Sequence, residues 1–155
     1  NSSSWIKGVT TSVTASGTSN TPLVDVIIPA NTLSTNGDII EFQYLLSSTS
    51  INSNQTDVTF GIVGSTVSTS ALGSITGSLT YNVRGFIQRL TATTYNLFFE
   101  YTNGLTHAQA SSKNTTISGA KNWGIDDITW TGSIKDSSGT NNFIMNSGFL
   151  KSTSS

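Results

Sequence analysis

The sequence predicts an all-β domain, an antiparallel jelly roll or β-sandwich of about eight to ten strands. Two observations predict it. Apolar and polar residues alternate with a period of two in several segments, as in strands with one buried and one wetter face. No segment shows a convincing 3.6-residue apolar period over about ten residues, which would indicate an amphipathic helix. Without helical crossovers, the strands must pair largely antiparallel.

The clearest strands lie in the segment Leu79–Tyr101. Its first half places a set of apolar or small residues on one face: Leu79, Tyr81, Val83, Gly85 and Ile87. Its second half alternates in the same way through Tyr95, Leu97, Phe99 and Tyr101. A polar turn near Thr91–Thr94 joins the halves, so the segment predicts a hairpin of two long strands.

The remaining strands are shorter and are predicted in chain order at Val9–Ala15, Leu23–Ile28, Ile39–Leu46, Val58–Val63, Leu105–Ser112, Asp127–Lys135 and Phe143–Leu150. Two further segments bracket a Gly-containing turn: Thr115–Ile117 and Trp123–Ile128. Pro29 ends the strand before it because proline has no backbone donor. Ser65–Ser78 is small and polar and is expected to be mostly loop. We expect residues 1–8 to be a connector or the end of an N-terminal stalk, residues 9–151 the jelly-roll domain, and residues 152–155 a polar tail.

Composition excludes several classes of protein. The 155 residues are 35% hydrophobic, 10% charged and 9% aromatic, with a net charge of −1 and no cysteine. Ser and Thr make up roughly a third of the chain, so it is polar without the high charge typical of disorder. Nucleic-acid binding would need a basic patch, and a membrane helix would need a long apolar run. A disulfide or a thiolate metal site would need cysteine. The sequence contains none of these features. The chain opens without Met, and we expect a processed protein or the end of a longer one.

Three features in this order resemble a known family. An apolar strand runs into IIPANTLSTNGDIIEFQY, the hairpin LTYNVRGFIQRLTATTYNLFFEY follows, and NTTIS precedes DITWTGSIKDSSGTNNFIMNSGFL. Together they resemble the jelly-roll tip domains of tailed-bacteriophage fibres and other virion surface proteins, whose architecture is similar to that of tumour necrosis factor. The resemblance covers roughly Leu23 to Leu150.

The resemblance implies a non-enzymatic structural protein on the virion surface, outside the cell. It would be the tip or decoration domain of a head fibre or tail fibre. Such domains are commonly homotrimers that attach to other virion proteins through their N-terminal side. Receptor binding would then mean avid engagement of a host-surface glycan by three weak sites. The alternative is a monomeric carbohydrate-binding module or lectin domain of a secreted bacterial protein.

Catalytic, metal and cofactor sites are not predicted. His107 is the only histidine, and no nucleophile motif between strand and helix accompanies it. Glu41 and Glu100 could meet across strands as a glycosidase pair, but both occupy polar positions of amphipathic strands. The loop DSSGTNN offers Asp136 as its single carboxylate, which is few for calcium.

The sequence offers one candidate ligand site and one candidate oligomer interface. Sugar sites combine an aromatic face with amides and hydroxyls, so the predicted ligand-binding residues are Trp123, Asn122, Asn141 and Asn142. Trp123, at a turn, is expected to be exposed. The segment NLFFEY carries apolar residues on both faces, although a sandwich sheet has only one core face. The surplus apolar residues predict a subunit interface, and a covering loop is the alternative. The predicted interface residues are Phe86, Leu90, Phe98 and Trp5.

Overall fold

In the computed structural model the protein is a sandwich of two antiparallel β-sheets, which confirms the predicted fold class. The structure describes residues 6–9, 13–16, 21–48, 54–63, 68–75, 79–103, 109–119, 121–136 and 142–153. Within these ranges every regular element is a strand.

In chain order the strands are β1 (Ile6–Val9), β2 (Val13–Ser16), β3 (Thr21–Ile28), β4 (Ile39–Ser48), β5 (Asn54–Ile62), β6 (Ser68–Ile75), β7 (Leu79–Arg89), β8 (Thr94–Asn103), β9 (Gln109–Ser118), β10 (Ile128–Asp136) and β11 (Asn142–Thr153). The predicted hairpin is therefore confirmed as β7 and β8. Across the described ranges the strands number eleven, more than the eight to ten predicted.

The strand order is that of a jelly roll. One sheet has seven strands in the order β1-β11-β4-β7-β8-β9, with β2 also pairing β11. The other has four strands in the order β3-β10-β5-β6. The chain changes sheet at most connections, as in a jelly roll. The meander β7–β8–β9 widens the larger sheet, so its outer face is the broadest regular surface of the described structure.

The core lies between the sheets and is built around an aromatic cluster. Its buried rings come from both sheets: Phe42, Tyr44, Phe60, Phe99 and Trp130. Phe60 and Trp130 stack with ring centroids 5.6 Å apart. The Nε1 of Trp130 donates a hydrogen bond of 3.0 Å to the hydroxyl of Tyr44. Burial raises the pKa of that hydroxyl, so the neutral phenol is the form that the core holds.

Glycines make room for these rings in the cross-strand register. Gly85 lies opposite both Phe42 and Phe99, and Gly148 lies opposite Tyr44. A methyl group built on Gly85 would come within 2.7 Å of the Cα of Phe99 and 2.9 Å of the Phe42 ring. The space that a side chain would occupy at Gly85 is therefore already filled by its neighbours.

Three loops at one end of the sandwich are tied together by hydrogen bonds. Arg89 reaches from the end of β7 into the β3–β4 loop, where its Nη1 donates to the carbonyl of Leu33 at 2.6 Å. Its Nε donates to Oδ1 of Asn36 at 3.0 Å. The backbone N–H of Trp123 donates to the carbonyl of Ala92 at 2.9 Å, which joins the third loop. We call this the bonded end of the sandwich.

Several predicted bounds are wrong. β1 begins at Ile6, inside the segment predicted to be a connector, because it pairs with β11. β11 continues to Thr153, and Ser152 is 2% exposed rather than part of a polar tail. Ser68–Ile75 forms β6 although the sequence there is small and polar. It pairs with β5 along its length, and the ladder compensates for weak side-chain patterning.

Candidate functional site

The outer face of the seven-stranded sheet carries two aromatic rings side by side. In β7 and β8 the alternation turns Ile87 and Leu97 inward, so Phe86 and Phe98 point outward. The register places Phe86 directly opposite Phe98, and their ring centroids lie 5.6 Å apart at an interplanar angle of 35°. Both are half-buried, because each ring covers part of the other. The pair forms an apolar platform on the outer face of the sheet.

Polar side chains occupy neighbouring outward positions of β4, β7 and β8. The Nε of Arg84 donates to Oε1 of Glu100 at 2.9 Å, and the side chain of Arg84 is 60% exposed. The Nε2 of Gln43 donates to Oδ1 of Asn82 at 2.9 Å. Each pair leaves further donors and acceptors facing solvent. The result is a ring pair bordered by an ion pair and an amide pair.

Two adjoining depressions form on this face. The first, of about 320 Å³, is bordered by residues of β4, β7, β8 and β11: Glu41, Phe42, Gln43, Arg84, Gly85, Phe86, Phe98, Glu100 and Phe149. The second, of about 220 Å³, is bordered by residues of β4 and β11: Gln43, Leu45, Ser147, Gly148 and Phe149. Gln43 and Phe149 belong to both. We call the two depressions together the sheet groove.

The chemistry of the sheet groove matches that of a neutral, amphipathic ligand. The outward charged residues of its four strands are Glu41, Arg84, Glu100 and Lys151, two acids and two bases that sum to zero. Aromatic rings pack against the C–H faces of sugars, and amides and charged groups bind hydroxyls. The charged residues that border the groove itself are Glu41, Arg84 and Glu100, with a net charge of −1. An aromatic floor with this weakly charged polar border suits a neutral carbohydrate better than an anion.

Glu41 and Glu100, which the sequence pattern disfavours as a glycosidase pair, both border the first depression. Their strands, β4 and β8, are separated by β7, about 9.6 Å at the usual strand spacing. Arg84 from the strand between them binds Glu100. In the described ranges no group of three His, Cys, Asp or Glu side chains is placed to hold a metal ion. Nor does any described helix have the length and apolar character to cross a membrane.

The structure corrects the exposure expected of Trp123. This residue lies in the β9–β10 loop but is only 2% exposed, and its ring meets Tyr95 edge-on with centroids 5.7 Å apart. Asn122 is committed to the loop itself, because its Oδ1 accepts from the N–H of Gly124 at 2.8 Å. Trp123 is buried because its loop folds over the open end of the core. Assigning this segment to a turn from the sequence does not reveal that burial. In this conformation Trp123 presents no ring face to a ligand.

The four predicted ligand-binding residues do not form one site. Asn122 and Trp123 lie at the bonded end, whereas Asn142 begins β11 opposite Ser16, at the other end of the sheet. β11 has 12 residues, so those ends are about 36 Å apart. Asn141, like His107, lies outside the described residues.

The predicted interface residues are also divided. Phe86 and Phe98 lie in the sheet groove, as residues outside the protein's own core. Leu90 is 39% exposed in the turn after β7, at the bonded end. Trp5 lies outside the described residues. The interface role of these residues stays a prediction.

Sequence reasoning missed Gln43, Leu45 and Phe149 as partners of the phenylalanine pair. Leu45 and Phe149 are 38% and 37% exposed on the outer face. The alternation within each strand does identify these residues as outward. Their neighbours in the groove depend on which strands are adjacent, and β11 and β4 are far apart in sequence.

Comparisons with known proteins show no family for this chain. No protein-family model matches this sequence, and no curated protein matches it. Among solved structures, the chain is similar to the CBM2 module of Lactobacillus casei BL23 phage J-1 evolved Dit, with a TM-score of 0.46 and 9% sequence identity. The match covers 83% of this chain and 68% of that module.

Proposed function

We propose that this protein is a non-enzymatic domain of a virion surface that binds a neutral host-surface glycan in the sheet groove. The observation that carries the proposal is the pair Phe86 and Phe98 in a depression bordered by Gln43, Arg84 and Glu100. Paired rings supply an apolar platform, and the neighbouring side chains supply hydrogen bonds that orient a sugar.

The polarity of this face favours a glycan over a protein partner. The cores of protein interfaces are depleted of charged residues, because buried charges must be desolvated. A protein covering the groove would bury Arg84, Glu100 and Glu41 together with the rings. A glycan is itself rich in hydroxyls, which replace part of the water that these groups lose.

The virion setting rests on the resemblance of Leu23 to Leu150 to fibre-tip domains. In that setting the chain is a homotrimer, and other virion proteins attach on its N-terminal side. Each groove faces outward, and three weak sites engage a repetitive surface with the avidity that one site lacks. A monomeric carbohydrate-binding module of a secreted protein is the alternative.

The test is binding to an array of neutral oligosaccharides built from glucose, galactose, rhamnose and N-acetylglucosamine. We expect the wild-type protein to bind a subset, and Phe86→Ala to weaken that binding about tenfold, since it removes half of the ring platform. The matched control is Ile27→Ala, because Ile27 is 61% exposed on the four-stranded sheet. That control should bind as the wild type does.

Two outcomes would contradict the proposal. One is the absence of any array signal. The other is an equal loss of binding in Phe86→Ala and Ile27→Ala, which would place the site elsewhere. Reducing ends should not accumulate on a bound glycan, and their release would indicate a depolymerase using Glu41 and Glu100.

A further inference from the structure

We infer that the sheet groove binds an internal stretch of a linear neutral glycan across both depressions, with Phe149 as the boundary between two sugar subsites. This inference rests on the proposed function and specifies the class of glycan. It concerns a chain with several units in the groove, as opposed to a single terminal sugar.

The first step is the continuity of the two depressions. Phe149 and Gln43 border both, so one ring and one amide serve two neighbouring spaces. The first depression crosses β11, β4, β7 and β8, which is about 14 Å at the usual strand spacing. A pyranose ring is about as broad as a phenylalanine ring, so one sugar leaves most of this length unfilled.

The second step is the openness of the groove. Its walls are side chains of strands, and Phe149 is 37% exposed between the two depressions. Sites for a terminal sugar need walls that stop the chain at that sugar. A groove on a sheet surface lets the chain pass in both directions.

The third step is the repetition of one chemistry in both depressions. Each combines outward apolar side chains with polar groups: the first has the phenylalanine pair and Glu100, and the second has Leu45 and Ser147. The Nε of Arg84 lies 2.9 Å from Oε1 of Glu100, so the charges of these two side chains largely cancel. Successive neutral sugar units would therefore meet similar surroundings, and an anionic glycan would gain no net attraction.

The experiment measures affinity against chain length. The probes are the neutral oligosaccharides of the array, in series of one to six units, and the proteins are the full chain and its Leu45→Ala and Phe149→Ala variants. We expect wild-type affinity to rise at least tenfold from one to four units. Leu45→Ala should leave the shortest probes unchanged and weaken the four-unit to six-unit probes about fivefold, because it alters only the second depression. Phe149→Ala should weaken probes of every length.

Ile27→Ala again serves as the control, and thermal unfolding of each variant shows whether it is folded. Wild-type affinity that does not depend on chain length, or a Leu45→Ala loss equal at every length, would overturn the two-subsite inference and leave glycan binding intact. Absence of binding to every probe would overturn the proposed function together with this inference.

Discussion

At the scale of single residues, the core depends on pairing a large ring on one strand with a glycine on the next. Gly85, Gly132 and Gly148 each leave space that an aromatic side chain occupies. For Gly132 the occupant is Phe60, whose ring would lie 2.5 Å from an added methyl group. Because these glycines have no side chain, the neighbouring rings and backbone can occupy that space.

We expect Gly85→Ala to lower the free energy of unfolding by about 2–3 kcal/mol, because the new methyl group overlaps the backbone of β8, which cannot rotate away. Urea denaturation followed by tryptophan fluorescence would measure the change. Gly8→Ala is the matched control, since no atom lies within 4 Å of the added methyl group. Similar stabilities for the two variants would mean that the contact at Gly85 is not as close as described.

At the scale of elements, the bonded end is organised by Arg89 at the end of β7. Its guanidinium satisfies the carbonyl of Leu33, a residue that is fully buried. Beside it, the carboxylate of Asp38, 2% exposed, accepts from the N–H of Thr35 at 3.0 Å. Charged groups are costly to bury unless they make hydrogen bonds, so these bonds determine the loop conformation.

Arg89→Ala should lower the free energy of unfolding by about 1.5–3 kcal/mol, because two charge-assisted hydrogen bonds to the β3–β4 loop are lost. The comparison is Arg84→Ala, which removes an ion pair whose arginine is 60% exposed and should change stability by less than about 1 kcal/mol. Thermal unfolding measures both. An Arg89→Ala protein as stable as the wild type would show that the loop is held without the arginine.

At the scale of the whole molecule, the groove and the bonded end are separate surfaces that suit separate roles. The groove has a polar border of small net charge and lies on the face of the larger sheet. The bonded end carries Leu90 at 39% exposure and Ile125 at 76%, on two loops joined through Trp123. We propose that contacts between copies use this end, which leaves the grooves free.

The resemblance to fibre-tip domains implies a homotrimer, so light scattering after size-exclusion chromatography should give three times the chain mass of 16.3 kDa. Phe98→Ser should keep that mass, because Phe98 lies in the groove, whereas Ile125→Ser should reduce the fraction of trimer. Dissociation by Phe98→Ser would instead assign the groove to a subunit interface. A monomeric wild type would favour the secreted carbohydrate-binding module.

The sequence by itself determined the fold class, the β7–β8 hairpin and the outward direction of Phe86 and Phe98. A period of two is a local property, and it identifies the faces of a strand before any partner is known. The outward phenylalanines were therefore recognised as surplus to the core, as the structure places them. Pro29 likewise predicts the end of β3 at Ile28 correctly.

Only the tertiary structure decided which side chains share a surface. Phe149 and Gln43 are adjacent because β11 pairs with β4, although the two strands are far apart in the sequence. The spacing of residues along the sequence does not predict that pairing. The same reason accounts for Trp123, which a turn composition predicts to be exposed but which closes the end of the core against Tyr95. The face on which a side chain lies depends on neighbouring residues of its own strand, whereas the order of the strands depends on how the whole chain buries its apolar surface.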